Sequence, residues 1–176
     1  TIFLLPLFLL AGCASAGGSQ SRDLDLKELC TEEQVFQYAD FEWGTDSEQL
    51  FKQSSLKFDE KDLGQGDESS TKTYESKEKF SLENAESNMD LEFSDGQLSQ
   101  VSFTFDIEQD ANTWIQKEVD ELNSLYGGGI ATGLGNQIYQ WQGEQDTVLQ
   151  LTAFTEGDES ATVILSVASM EYSIGS

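Results

Sequence analysis

The alternation on either side of Asp95-Gly96 constrains this chain more than any other feature. Met89, Leu91 and Phe93 alternate with polar residues before the pair, and Val101, Phe103, Phe105 and Ile107 do so after it. Successive side chains of a strand point to opposite faces, so each run has one apolar and one polar side. Asp-Gly between two such runs predicts a tight hairpin, because Gly takes positive φ at no steric cost. The outcome is an antiparallel sheet buried on one face, with Glu, Ser, Gln and Asp on the other.

The remaining elements fall into place around that hairpin. Thr71 to Leu82 predicts a further strand, weakly alternating about Tyr74 and Phe80. Three more follow at Gln137 to Gln142, Thr147 to Phe154 and Ala161 to Met170, separated by turns at Gly143-Glu144-Gln145-Asp146 and Glu156-Gly157-Asp158-Glu159. A short helix over Asp46 to Lys52 opens on a capping box, Thr45 with Glu48, and turns Leu50 and Phe51 to the core. A longer one is N-capped by Asp110 and carries Trp114, Ile115, Val119, Leu122, Leu125 and Tyr126 along one face. Gly127 closes it in a left-handed conformation. Lys61 to Ser70 and Gly127 to Gly135 are read as loops. The expected class is α+β: two halves, each a helix and three strands, with both helices on one face of a curved antiparallel sheet.

At the start of the chain, Ile2 to Leu10 has no polar side chain. A membrane-spanning helix needs roughly 20 apolar residues, whereas the core of a secretory signal needs only about 7–15. The chain opens at Thr1 without a basic leader, as expected of a signal clipped at its start. The run ends in Leu10-Ala11-Gly12-Cys13, which resembles the lipobox of bacterial lipoproteins. That resemblance implies lipid transfer to the Cys13 sulfur and cleavage between Gly12 and Cys13. The competing reading is an ordinary secretory signal with an incidental cysteine, and four matched positions at the end of an apolar run weigh against it. The expected division is a signal over 1–12, a lipidated cysteine with a flexible acidic tether over 13–34, in which Leu24, Leu26 and Leu29 read as a short helix or an extended lead-in, and one domain over 35–176. Apart from the lipid on Cys13, no cofactor is expected.

Charge narrows the partners. The net charge is -24, and none of it lies in residues 1–12. Nucleic acid is excluded as a partner, because phosphate contacts need clustered Lys and Arg. Contact with the membrane is expected through the lipid alone, and the remaining partner is a protein or an envelope polymer. The acidity itself is read as solubility, with a basic partner or divalent cations as the sharper alternative. The chain has no His, which removes Ser-His-Asp and Cys-His catalysis and most zinc sites. Cys30 is the second of two cysteines and is read as a small, partly buried residue.

Other motifs weaken on inspection. Gly128 and Gly133 have the spacing of a phosphate loop, but Leu134 stands where lysine belongs, and the loop follows a helix instead of opening one. The acidic pairs Asp59-Glu60, Asp67-Glu68 and Asp158-Glu159 sit in turns and on polar strand faces, where solvation explains them. No calcium-loop motif is present, and no metal ligands are assigned. Trp114 is assigned to the core. Tyr139 and Trp141 share one strand face and, with Trp43, are the residues for a possible binding face, weighed against simple core packing.

The order of elements resembles two groups: small outer-membrane lipoproteins that assist barrel-protein assembly, and secreted β-lactamase-inhibitory proteins. Phe41-x-Trp43-Gly44-Thr45 and Leu122-x-x-x-Tyr126-Gly127 are similar to helix entries and exits in uncharacterised small bacterial lipoproteins. These resemblances imply a binding protein and assign no functional residue. The expected function is a non-catalytic, membrane-anchored binding or assembly module on the extracytoplasmic side. The alternatives are an enzyme acting on cell-wall glycan through paired carboxylates, and a calcium-dependent adhesion or sensing domain.

Overall fold

A computed structural model describes residues 21–62, 70–132, 137–157 and 159–173. The lipobox, Asp67-Glu68, Gly133 to Gly135 and Asp158 lie outside them. The chain runs through β1 (Arg22–Asp23), a 3-10 turn (Leu26–Leu29), α1 (Ser47–Gln53), β2 (Phe58–Glu60), β3 (Thr71–Leu82), β4 (Ala85–Ser94) and β5 (Gln97–Ile107). It continues through α2 (Ala111–Tyr126), β6 (Ile130–Thr132), β7 (Gln137–Gln142), β8 (Thr147–Glu156), β9 (Ser160–Ser169) and α3 (Met170–Ser173).

The class is α+β, built on one open sheet. Its strand order is β1-β3-β4-β5-β9-β8-β7-β6, with β2 also paired to β3. Every pairing is antiparallel except β1 with β3. The expected hairpin forms at Asp95-Gly96, where φ is 49° and 81°. Positive φ at both central residues matches the right-handed twist of the flanking strands. Glu83-Asn84 makes a second turn of this kind, with φ of 48° and 67°, between β3 and β4.

Both helix starts differ from expectation. Asp46, not Thr45, caps α1: its side chain accepts from the Gln49 amide. Thr45 is held in an isolated strand-like contact instead, its carbonyl accepting from Leu98 N at 2.9 Å. Asp110 does precede α2, but in a left-handed conformation with no side-chain cap. The first free amide of α2, on Ala111, donates to the Glu159 carbonyl of the β8–β9 turn. A loop from the sheet thus does the work that a cap would do.

The helices share one face of the sheet with a third cover. Phe51 of α1 packs edge-on to Tyr74 and Phe93, and Trp114 of α2 lies 5.8 Å from Phe105. Between them sits the N-terminal segment. The Tyr38 ring makes edge contacts with Phe41, Phe80 and Phe103, and Phe36 meets Tyr126 at 5.2 Å. Among the described residues regular structure is therefore present from Arg22, ahead of the boundary expected near Val35. The physical reason is apolar: Leu24, Leu26 and Leu29 are all buried against the core.

The same segment is latched to the β7–β8 hairpin. Phe36 N donates to the buried Thr147 hydroxyl at 2.9 Å, and that hydroxyl donates to the Glu144 carbonyl. Glu144 N donates in turn to the Gln34 carbonyl at 2.8 Å. Gly143 permits this approach, since a Cβ there would lie 2.6 Å from the Gln34 carbonyl oxygen. Leu29→Ala is expected to lower unfolding stability by about 2–5 kcal/mol, as a core truncation does. Met170→Ala, at a residue 46 % exposed, is expected to change it by less than about 1 kcal/mol. Urea denaturation of both variants checks that this segment belongs to the core.

Candidate functional site

The second face of the sheet is covered by neither α1 nor α2, and α3 reaches its β7–β8 end through Met170 and Glu171. Its composition follows from strand alternation and register. One row crosses every strand from β6 to β2: Ile130, Gln140, Gln150, Ser166, Ser102, Asp90, Glu75 and Asp59 stand opposite one another in turn. A second row holds Thr132, Ile138, Thr152, Ile164 and Thr104. A third holds Gln142, Val148, Ala168, Gln100, Glu92 and Thr73.

These rows grade from one chemistry to another. On β6 to β9 they are uncharged, with aliphatic groups among amides and hydroxyls. Ile130 is 61 % exposed and Phe154, at the end of β8, is 42 % exposed. The amides are tied in a chain: Gln140 Nε2 donates to Gln150 Oε1 at 2.6 Å, and Gln150 Nε2 donates to Thr152 Oγ1 at 2.8 Å. At the β7–β8 end a depression of about 530 Å³ is lined by Gln140, Gln142, Asp146, Met170 and Glu171.

Carboxylates take over on β4 and β3. Lys61 Nζ bridges Glu75 at 2.9 Å and Asp90 at 3.0 Å. Burial works against the charge of Lys61, but its hydrogen bonds to Glu75 and Asp90 outweigh that and raise its pKa. Asp90 is also raised, because its burial exceeds the help it receives from Lys61. The cluster thus favours the lysine charge more than the aspartate charge. Glu92 is raised by burial as well. These carboxylates hold protons more readily than solvated ones do.

The aromatic residues expected for a binding face are not brought together on this surface. Trp141 is only 3 % exposed and points to the helix side, its Nε1 donating to Asn123 Oδ1 and the Gly127 carbonyl. A Cβ on Gly129 would lie 2.6 Å from its ring. Tyr139 shares that side and is half-buried against the core. Trp43 is half-buried too, its Nε1 donating to the Phe36 carbonyl at 2.9 Å. Alternation in the sequence pairs Tyr139 with Trp141 but does not say which side is covered. The exposed positions were legible only as the polar partners of the apolar ones.

Other sequence candidates are placed plainly. Asp59 and Glu60 lie on edge strand β2 and pair with Lys77 at 2.9 Å and Lys72 at 3.2 Å. Cys30 is half-buried, and burial pushes its thiol pKa up, away from reactivity. Trp114 packs on the core, with its buried Nε1 lacking a hydrogen-bond partner among the described residues. Among those residues no group of three or more His, Cys, Asp or Glu is placed to hold a metal ion. No described helix is long and apolar enough to cross a membrane.

Lys61→Met is expected to raise the Asp90 pKa further, since the group that favours its charge is removed. Carboxyl NMR titration of wild type and variant reads that shift. An unchanged or lowered Asp90 midpoint contradicts the assignment.

No family model matches the chain, and neither a curated protein nor a solved structure matches it.

Proposed function

We propose that this chain is a lipid-anchored, extracytoplasmic binding or assembly module without catalytic function, held to the membrane through Cys13 and engaging a protein or envelope polymer with the open face of its sheet. The observation that carries the reading is that face: three cross-strand rows covered by neither α1 nor α2, neutral and partly aliphatic from β6 to β9. An antiparallel sheet can leave one face to solvent, but exposed aliphatic groups set among ordered amides are also what a recognition surface needs. The lipobox Leu10-Ala11-Gly12-Cys13 supports the anchor, where two or more acyl chains give stable attachment. Nucleic acid stays outside the partner class at a net charge of -24.

The finer architecture belongs to the same proposal. The chain repeats one plan, a helix followed by antiparallel strands, α1 ahead of β3 to β5 and α2 ahead of β7 to β9. In support, the strand order places β3-β4-β5 and β9-β8-β7 as mirror runs that meet at β5 and β9.

The test is a crosslinked pull-down from cells carrying the full chain, compared with Cys13→Ser and with Ile164→Arg on the open face. The expected result is a discrete protein or wall polymer, retained by wild type and reduced at least about ten-fold by Ile164→Arg, the scale of a lost interface anchor. Equal recovery with Ile164→Arg overturns the open-face assignment. Cleavage of wall glycan by the purified chain overturns the non-catalytic reading in favour of the carboxylate pairs. Capture only in millimolar calcium favours an adhesion or sensing domain.

A further inference from the structure

One carboxylate sits where α2 turns its apolar stripe to the sheet. Glu118 falls among Ile115, Val119 and Leu122 on the buried side of the helix and is 1 % exposed. Neither of its carboxylate oxygens has a hydrogen-bond partner among the described residues. A charge taken out of water with no partner is among the least favourable states a side chain can adopt.

The groups around it make ionisation harder still. Glu121 stands nearly one turn further along α2, and Glu83 is carried to the same corner by the β3–β4 turn. Lys117 opposes them, but its Nζ is taken up in an ion pair with Glu83. The N-terminal segment brings further carboxylates to the corner: Asp23, Leu24, Asp25 and Leu26 line a depression of about 330 Å³ together with Glu83 and Glu121. That segment is held by the elements flanking Glu118. Leu24 N donates to the Ser81 carbonyl at 2.8 Å, and the Tyr126 hydroxyl at the end of α2 donates to the Leu26 carbonyl.

We propose that Glu118 is a proton-operated latch for this corner of the domain: the neutral carboxyl lets α2 seat against the sheet and hold the N-terminal segment, and the carboxylate loosens both. Burial, reinforced by Glu121 and Glu83 and only partly offset by Lys117, pushes its pKa from the ordinary 4.5 up to about 7. An acid raised in this way carries no penalty below its unfolded value, a growing one between the two values, and a constant one above the folded value. The corner is therefore tightest in mild acid and loosens as the pH rises toward neutrality. The segment it holds is also the one that joins the domain to the proposed anchor at Cys13, so release lengthens the tether. That last consequence rests on the anchored reading, whereas the latch itself does not.

The test uses the purified full chain, so its outcome is independent of any anchor or partner. Hydrogen exchange, corrected for intrinsic rate, is followed at pH 5.5 and pH 8 over residues 24–29 and 111–126. The expected result for wild type is roughly a 25-fold rise in the open population, which is what a carboxyl titrating near 4.5 when open and near 7 when closed produces. Glu118→Gln is expected to remove the rise, and Glu121→Gln to keep it with a midpoint at lower pH. Carboxyl NMR of the wild type supplies a readout that needs no variant to fold, with a Glu118 midpoint expected near 7. A wild-type midpoint near the ordinary glutamate value, or a rise that persists in Glu118→Gln, overturns the latch.

Discussion

A single sheet with one apolar face has to be roofed along its whole width, and that requirement organises this domain. α1 has 7 residues and α2 has 16, against an order of eight strands with β2 beside them. Two helices of that length leave the middle of the apolar face uncovered. The N-terminal segment fills the gap with Phe36, Tyr38 and Phe41, and Tyr38 reaches both Phe80 and Phe103. Aromatic rings suit this place because they bury a large area with little side-chain freedom to lose. Remove the segment, and the centre of the sheet would face water on both sides.

The strands were legible because their signal is local. Alternation and the Asp95-Gly96 turn locate β4 and β5 from a few neighbouring residues, and Gln137 to Gln142 is recovered to the residue as β7. The N-terminal segment was legible only as a short helix or an extended lead-in, and its burial not at all, because its leucines follow neither spacing. Leu24, Leu26 and Leu29 sit among Asp, Lys and Glu, and their burial depends on a surface formed by chain far away. β2 and β6 have 3 residues each, too few for a pattern, and β6 follows a run of glycines that reads as a loop. Both are strands because β3 and β7 offer them an edge. The cap of α1 moved from Thr45 to Asp46 for a similar reason, since Leu98 claims Thr45.

The candidate surface was less legible than the fold. Sequence alternation separates two faces but is silent on which one the helices choose, and Tyr139 and Trp141, open in the sequence to either core packing or a binding face, lie on the covered side. Trp141 serves α2, tied to Asn123 and Gly127. The residues left outside are Gln, Ser, Thr and isolated aliphatics, which individually resemble any surface. Glu118 did leave a trace: a charged residue on the stripe of Ile115, Val119 and Leu122 breaks the helical pattern where it should be apolar. Such local conflicts mark places where something other than packing sets the residue.

Strand order also bears on how the domain comes into being. Among the described strands β9 comes last in sequence, yet it lies in the interior of the sheet between β5 and β8. The first strands pair among themselves early, but β5 keeps an open edge until β9 arrives, with Phe103 facing Leu165 and Phe105 facing Val163 across it. A chain that emerges from its N-terminus cannot finish this sheet until β9 is out. It must pass through a period with a long, apolar, unpaired strand exposed. Closure of the sheet therefore waits for β9, and the interval before β9 docks is when a chaperone has most to protect.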